Sequence, residues 1–326
     1  MNKTVFLTGG AGRIGKYVLR KLLDRGCRVK VLVHKTAPEG IASDHLEIIQ
    51  GDILDRDTFA NAVQGCHFVC HLAAVFDLGS EVETDSENDY LFDHLIRGTY
   101  NVLEAARQAG TVDLFAYASS DAVFSAIYKQ HDKPITEEIE LTPRSGRFYA
   151  MAKATMENMC VNYYKTYGLP YTVIRVGWCF DHDEVLLSFR PAFWESMFAP
   201  GERERLYAIR PKEEILIAPL YESGDSVEVQ LAHADDTAAG FVLALENHQQ
   251  AANQIFNIAG DAPFKFLDCI EKVANGMGMP WEKVKLAGLG RYQISNEKAR
   301  RLLGYEPQFN INRMIDLSLA NDSGHR

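Results

Sequence analysis

Thr4-Val5-Phe6-Leu7-Thr8-Gly9-Gly10-Ala11-Gly12-Arg13-Ile14-Gly15 leads an apolar strand into glycines at positions 9, 12 and 15. Glycine there lets a backbone turn tightly and approach a bulky anion. Behind the glycines, Ile14, Val18, Leu19, Leu22 and Leu23 form an apolar helical stripe that closes at Gly26. Strand, glycine turn and helix N-terminus bring unpaired N–H groups and the positive end of the helix dipole to one point, which suits a diphosphate. Glycines alone mark many ordinary turns. Their place between a strand and a helix points to a bound dinucleotide, and so to redox chemistry.

Further strands are expected at 28–33, 46–50, 67–72, 114–118 and 171–175, with helices at 58–63, 91–108 and 148–167. The fourth strand is nearly all apolar, as a strand covered on both faces should be. This alternation predicts an α/β fold, a Rossmann-type doubly wound parallel sheet with its ligands at the carboxyl ends of the strands. Residues 1–176 read as the dinucleotide-binding domain, with 230–260 returning to it, and 177–326 mainly as a smaller C-terminal substrate-binding cap. Late helices are expected at 233–245, 266–277 and 297–303 and a late strand at 255–258, while the tail 321–326 reads as disordered. The acidic residues Glu81, Glu83, Asp85, Glu87 and Asp89 read as a solvated loop near the site mouth.

The chain has 326 residues, 47% hydrophobic and 24% charged, enough for a full-sized core. A net charge of −10 speaks against a nucleic-acid partner. No apolar run reaches the roughly 18 residues of a membrane span, and none at the start suggests a leader. The six cysteines and ten histidines show neither a disulfide framework nor metal-ligand spacing, so reduced thiols, a cytoplasmic location and no metal are expected.

Ser119-Ser120 ends the fifth strand, and Tyr149-Ala150-Met151-Ala152-Lys153 opens the long helix after it. Tyr and Lys four apart share one helical face. A phenol of pKa about 10 is a poor base at neutral pH, and a neighbouring ammonium is expected to lower it. A serine hydroxyl would hold the substrate oxygen while a dinucleotide carries the hydride. Each piece occurs by chance; their order, each on its proper element, does not arise easily so.

The sequence resembles an extended short-chain dehydrogenase/reductase, the NAD-dependent epimerase/dehydratase family. The resemblance rests on Thr8 to Gly15, Gly51-Asp52-Ile53, His71-Leu72-Ala73-Ala74, Gly98-Thr99 with Asn101 to Ala106, Ser119 to Val123, Tyr149 with Lys153, His233 to Asp236 and Lys298 to Tyr305. It implies Ser120 as the catalytic serine, Tyr149 as acid/base and Lys153 as its helper and a ribose contact. Gly9, Gly12, Arg13, Ile14 and Gly15 would meet the cofactor, Asp52 and Ile53 would flank the adenine, and Ala73 would lie by the nicotinamide-side diphosphate and ribose. It also implies a homodimer through the helices near 93–109 and 148–167.

Three departures from the family pattern stand out. His34 and Lys35 follow the second strand where NAD-preferring members carry a carboxylate; with Arg13 they tilt the expectation toward NADP. The Asn expected after the sixth strand is not recognisable in 175–181, and Val229 takes the place of an Arg that would clamp a nucleotide diphosphate. Leu95 stands where many members have a helix Asn. Asp121, Trp178 and Arg190 are candidate substrate contacts, with His182 a further anion partner; Asp121 reads rather as a turn cap, and Trp178, Phe180, Phe189, Phe193, Trp194 and Phe198 as largely cap core. The leading expectation is an NAD(P)-dependent oxidoreductase interconverting a secondary alcohol and a ketone on a sugar-derived or small polar substrate. A nucleotide-sugar epimerase or dehydratase with recycled cofactor, and a non-catalytic dinucleotide sensor, are the alternatives.

Overall fold

Val5, Phe6 and Leu7 are fully buried because their strand lies at the middle of the sheet, with helices over both faces. The computed structural model describes residues 1, 3–75, 85–125, 129–143, 147–182 and 184–323. In chain order come β1 (Thr4–Thr8), α1 (Gly15–Asp24), β2 (Arg28–Val33), β3 (Leu46–Gln50), α2 (Ala60–Val63), β4 (Phe68–His71), α3 (Asp85–Leu91), α4 (Gly98–Ala109), β5 (Leu114–Ser120), α5 (Phe148–Tyr167) and β6 (Tyr171–Val176). After them come β7 (Cys179–Phe180), α6 (Pro191–Trp194), α7 (Glu202–Ile209), β8 (Leu216–Leu220), β9 (Glu228–Val229), β10 (Ala232–His233), α8 (Ala234–Glu246) and α9 (His248–Ala251). The last are β11 (Gln254–Ile258), β12 (Phe264–Lys265), α10 (Phe266–Met277), β13 (Trp281–Lys285), α11 (Glu297–Leu303) and α12 (Ile311–Ser323).

Seven parallel strands form one sheet in the order β11-β6-β5-β4-β1-β2-β3. The order reverses between β1 and β4, and a crevice opens at such a switch point beyond the carboxyl ends. The register sets Ser120 of β5 opposite Val176 of β6, and His71 of β4 opposite Tyr117 of β5. One face of the sheet is covered by α1, α8 and α11 through Val18, Leu22, Phe241, Leu245, Ala299 and Leu303. The other is covered by α2, α4 and α5 through Val63, Val102, Leu103, Met156 and Cys160. A separate core, including Phe189, Trp194, Leu216, Phe266 and Ile315, builds the C-terminal lobe.

The structure differs from the sequence expectations in four places. The helix expected over 91–108 is divided: α3 is followed by a π-helical stretch over Phe92–Arg97 and then by α4. Asp85, Glu87 and Asp89 lie in α3 rather than in a loop, whereas Glu81 and Glu83 lie outside the described residues. The final helix runs to Ser323, so 321–323 of the tail expected to be disordered are helical, whereas 324–326 lie outside the described residues; Met314 and Ile315 bury its inner side. Besides 230–260, residues 297–305 also return to the sheet, with Tyr305 fully buried in that core.

Candidate active site

The glycine turn is shaped by steric contacts. Gly9 has φ +73°, and a Cβ there would stand 2.7 Å from the Ala73 nitrogen. A Cβ on Gly15 would stand 1.9 Å from the Gly9 carbonyl oxygen, so both glycines are required by the fold itself. Gly12 differs: a Cβ there would meet only the Gly9 oxygen, at 3.2 Å. Ile14 precedes α1 with no side-chain cap, and the first turn of α1 holds no acidic residue. An open glycine above an uncapped, acid-free helix start fits an anion such as a dinucleotide diphosphate.

Beside this turn, Asp52 Oδ1 accepts from Leu54 N at 2.9 Å, and His34 Nε2 lies 3.7 Å from Asp52 Oδ2. Ile53 packs at Gly98, where a Cβ would be 2.7 Å from Ile53 Cδ1, so the loop after β3 and α4 meet directly. Lys35 is exposed.

Ser120, Tyr149 and Lys153 come together at the carboxyl end of β5. Ser120 Oγ caps the short turn Asp121–Phe124 by accepting from Ala122 N at 3.2 Å, and its hydroxyl hydrogen-bonds the Tyr149 phenol. The serine, not Asp121, is therefore the cap. Lys153 is 3% exposed and its Nζ donates to the Ala118 carbonyl at 2.7 Å, 5.7 Å from the centre of the Tyr149 ring. Burial pushes Lys153 down to about 8, with Glu157 working against it. The phenol departs from the sequence expectation: burial raises the Tyr149 pKa, Ser120 opposes that, and the charge of Asp121 adds to it. In this geometry Lys153 gives one of its three N–H donors to a carbonyl, and desolvation of the phenolate dominates. Burial also lifts Asp121 to about 7, against the Ser120 hydroxyl that donates to Oδ1 at 3.2 Å.

A buried chain that the sequence did not disclose fixes the β1 and β4 ends. Thr99 Oγ1 donates to the Leu95 carbonyl at 2.7 Å, so it must accept from His71 Nε2 at 3.0 Å. His71 Nδ1 then accepts from Thr8 Oγ1 at 2.7 Å, and Thr8 accepts from Ala73 N at 3.1 Å. Only the neutral Nε2–H tautomer satisfies every group. Burial, with Lys153 nearby, pushes His71 down to about 3, consistent with that state. The chain also accounts for Leu95: its side chain is buried, while the π-helical turn offers its backbone carbonyl to Thr99.

Residues 5–259 match the profile of the NAD dependent epimerase/dehydratase family. The chain belongs to that family. It is similar to the 3 beta-hydroxysteroid dehydrogenase/Delta 5→4-isomerase of Mycobacterium tuberculosis, 26% identical over 348 residues that cover 95% of this chain and 88% of that protein. The UDP-glucose 4-epimerase of Corynebacterium glutamicum is also 26% identical, over 95% of this chain and 93% of its own. A short-chain dehydrogenase/reductase superfamily protein from Agrobacterium tumefaciens, solved with bound NAD, superposes with a TM-score of 0.81 at 25% identity, covering 99% of this chain and 98% of that one. The protein is thus an enzyme of the extended short-chain dehydrogenase/reductase kind.

In this epimerase/dehydratase-family enzyme several expected contacts are committed elsewhere. Arg13 is paired with Glu184 at 2.6 Å and donates to the Cys179 carbonyl at 3.2 Å, tying the glycine turn to the segment after β6. Arg190 donates to the Glu213 carbonyl at 3.0 Å, and His182 Nδ1 sits 2.8 Å from Asp181 Oδ1. Trp178 lies two residues past Val176, beside Ser120 in the register, half-buried against Phe193 and Trp194 at 5.8 Å each. Phe180, Phe189 and Trp194 are buried core of the lobe.

Asp181, His182 and His233 gather within 4.8 Å, a grouping that the sequence separation concealed. It is a poor metal donor set. His233 Nδ1 accepts from Asp235 N at 3.1 Å, so Nε2 carries the proton, and Asp181 already holds Lys16 and the Tyr17 hydroxyl.

Proposed function

We propose that this enzyme uses NAD or NADP to interconvert a secondary alcohol and a ketone on a sugar-derived or other small polar substrate. The observation that carries the reading is the meeting of Ser120, Tyr149 and Lys153 at the carboxyl end of β5, on the same edge of the sheet as the glycine turn. When bound, the dinucleotide supplies or accepts the hydride. Gly9, Gly12, Gly15 and the start of α1 would hold its diphosphate, Asp52 and Ile53 its adenine side, Ala73 and Lys153 its nicotinamide side. Because burial keeps the Tyr149 phenol protonated at neutral pH, it acts as the acid in carbonyl reduction, passing its proton to the substrate oxygen. Ser120, turning its proton from Asp121 Oδ1 to that oxygen, would stabilise the charge that develops there. Lys153 keeps a positive charge near the phenol and so eases loss of its proton.

With Arg13 engaged by Glu184, any preference for NADP rests on His34 and Lys35. Val229, buried in β9, offers no guanidinium for a nucleotide diphosphate, which favours a substrate without a nucleotide handle. The second reading, a nucleotide-sugar epimerase or dehydratase with recycled cofactor, draws on the likeness to the UDP-glucose 4-epimerase. Six free cysteines, five of them buried, suit a cytoplasmic protein. A homodimer through the α4 and α5 face completes the proposal.

Binding of NAD, NADH, NADP and NADPH, followed by absorbance at the reduced-nicotinamide band with pooled alcohols, ketones, sugar acids and UDP-sugars, tests the reading. Net oxidation or reduction supports it; conversion of a UDP-sugar without net redox change moves the assignment to the second reading. Tyr149→Phe is expected to lower turnover at least about a hundredfold while dinucleotide binding persists. Undiminished turnover would remove Tyr149 from the mechanism.

A further inference from the structure

Glu157 lies one helical turn beyond Lys153, and Lys153 one turn beyond Tyr149, so phenol, ammonium and carboxylate succeed one another along the inner side of α5. The reaction above uses only the first two. Glu157 is 2% exposed, and its carboxylate is surrounded by donors: Ser119 Oγ at 2.5 Å, Arg175 Nε at 3.1 and 3.2 Å, and Arg175 Nη2 at 2.9 Å. Arg175 is 3% exposed and gives its Nη1 to the Glu137 carbonyl at 3.1 Å. The cluster thus joins α5 to the residue before Ser120 on β5, and to the residue before Val176 on β6. A buried ion pair adds little stability over apolar side chains of the same size, so holding helix to sheet does not explain why charges stand here.

We propose that Glu157, held by Arg175 and Ser119, is a positioning residue that keeps the Lys153 side chain charged beside the dinucleotide and phenol. The proposal rests on the roles given above to Tyr149 and Lys153. The groups facing Lys153 support it. On β5 the Tyr117 ring lies 5.1 Å from Nζ, and on β4 His71 is neutral in its hydrogen-bonded chain. Asp121 bears on Tyr149, and Cys160, farther along α5, is pushed up by burial and stays a thiol. Arg175 on β6 is turned to Glu157, and the carboxylate is the charge that acts on Lys153, against the burial that favours a neutral amine.

The test is the pH dependence of NADH and NADPH binding to the full chain, followed by tryptophan fluorescence from about pH 6 to about pH 10. Affinity should fall as Lys153 loses its proton, and Lys153→Met should remove that fall; a fall that persists in Lys153→Met overturns the proposal. Glu157→Gln is expected to move the fall down by about one pH unit. Glu157→Gln/Arg175→Met should move it the same way by less, and it carries the test if the single variant, left with an uncompensated guanidinium, fails to fold. A uniform loss of affinity with the fall unmoved would reduce Glu157 to packing and overturn the proposal. Failure of the underlying reading looks different, since a wild-type chain that binds neither NADH nor NADPH at any pH removes both.

Discussion

His71 can keep its hydrogen-bond chain intact only while neutral, because Thr8 must donate to Nδ1 and Thr99 must accept from Nε2. The unfolded chain imposes no such condition. Burial lowers His71 from an ordinary 6.5 to about 3, so below pH 6.5 the unfolded state binds a proton that the folded state refuses. Stability from this residue is therefore complete above pH 6.5 and falls as pH drops toward 3. Between pH 7 and pH 5 the loss is about 2 kcal/mol. Asp121, lifted to about 7, acts with the opposite sign over the same range, so the net curve of the wild type mixes the two. His71→Gln isolates the effect. The variant should be less stable at pH 7, and its deficit against wild type should shrink by about 2 kcal/mol at pH 5, as read by urea unfolding. A deficit independent of pH would mean that His71 titrates in the folded state. The residue-scale contrast with Tyr149 and Lys153 is instructive. Their spacing of four is local and readable from the chain, and so is the further spacing to Glu157. The partners of His71 stand 63 and 28 residues away and meet it only when β1, β4 and α4 assemble.

At the scale of elements, the glycine turn separates two requirements that look identical in sequence. Gly15 is demanded by the turn's own backbone, whereas Gly12 is exposed and meets one oxygen at 3.2 Å. Gly15→Ala is accordingly expected to lower the melting temperature strongly, with its Cβ driven into the Gly9 carbonyl. Gly12→Ala should change stability by about 1 kcal/mol at most, yet weaken NAD and NADP binding severalfold or more. Calorimetric melting and dinucleotide titration of the two variants check this, and equal effects on both readouts would refute the division. The helix over 91–108 shows where element-level reading stopped. Its apolar periodicity was legible, but the π-helical turn around Leu95 was not, because it depends on Thr99 bonding back to the Leu95 carbonyl and His71 bonding to Thr99. Thr99→Val leaves the His71 Nε2–H without an acceptor and should cost about 1–3 kcal/mol in unfolding free energy. The boundaries of α5, α10 and α11 agree with the expected 148–167, 266–277 and 297–303, since each ends at a glycine with positive φ.

For the whole molecule, the parallel sheet and its covering helices followed from alternating apolar strands and helical stripes. The return of 297–305 to the sheet did not, because a short helix carries no mark of which core it joins. The ties between the lobes, Arg13 with Glu184 and Tyr17 with Asp181, were equally hidden, although Arg13 itself was singled out for another role. One whole-molecule property remains to be tested by mass. Along the outer side of α5, Met151, Thr155, Asn158 and Asn162 recur at helical spacing, and Tyr100 stands exposed on the neighbouring α4. Thr155, Asn158 and Asn162 each bond a carbonyl one turn back on their own helix, at 2.9, 3.3 and 2.8 Å, which lowers their need for water. A face of this kind, with Tyr100 42% and Met151 45% exposed, suits a two-fold pairing in which each α5 meets the same surface of a second copy. Wild-type protein should therefore scatter light as two chains. Tyr100→Glu/Met151→Glu places like charges at the centre of such a pairing and should give single chains that keep the wild-type far-ultraviolet dichroism. Because Tyr149, Lys153 and Ser120 lie on the inner side of the same helix and strand, the separated chains should still bind dinucleotide. A wild type that scatters as one chain, or a double variant that remains paired, would assign this face no part in assembly.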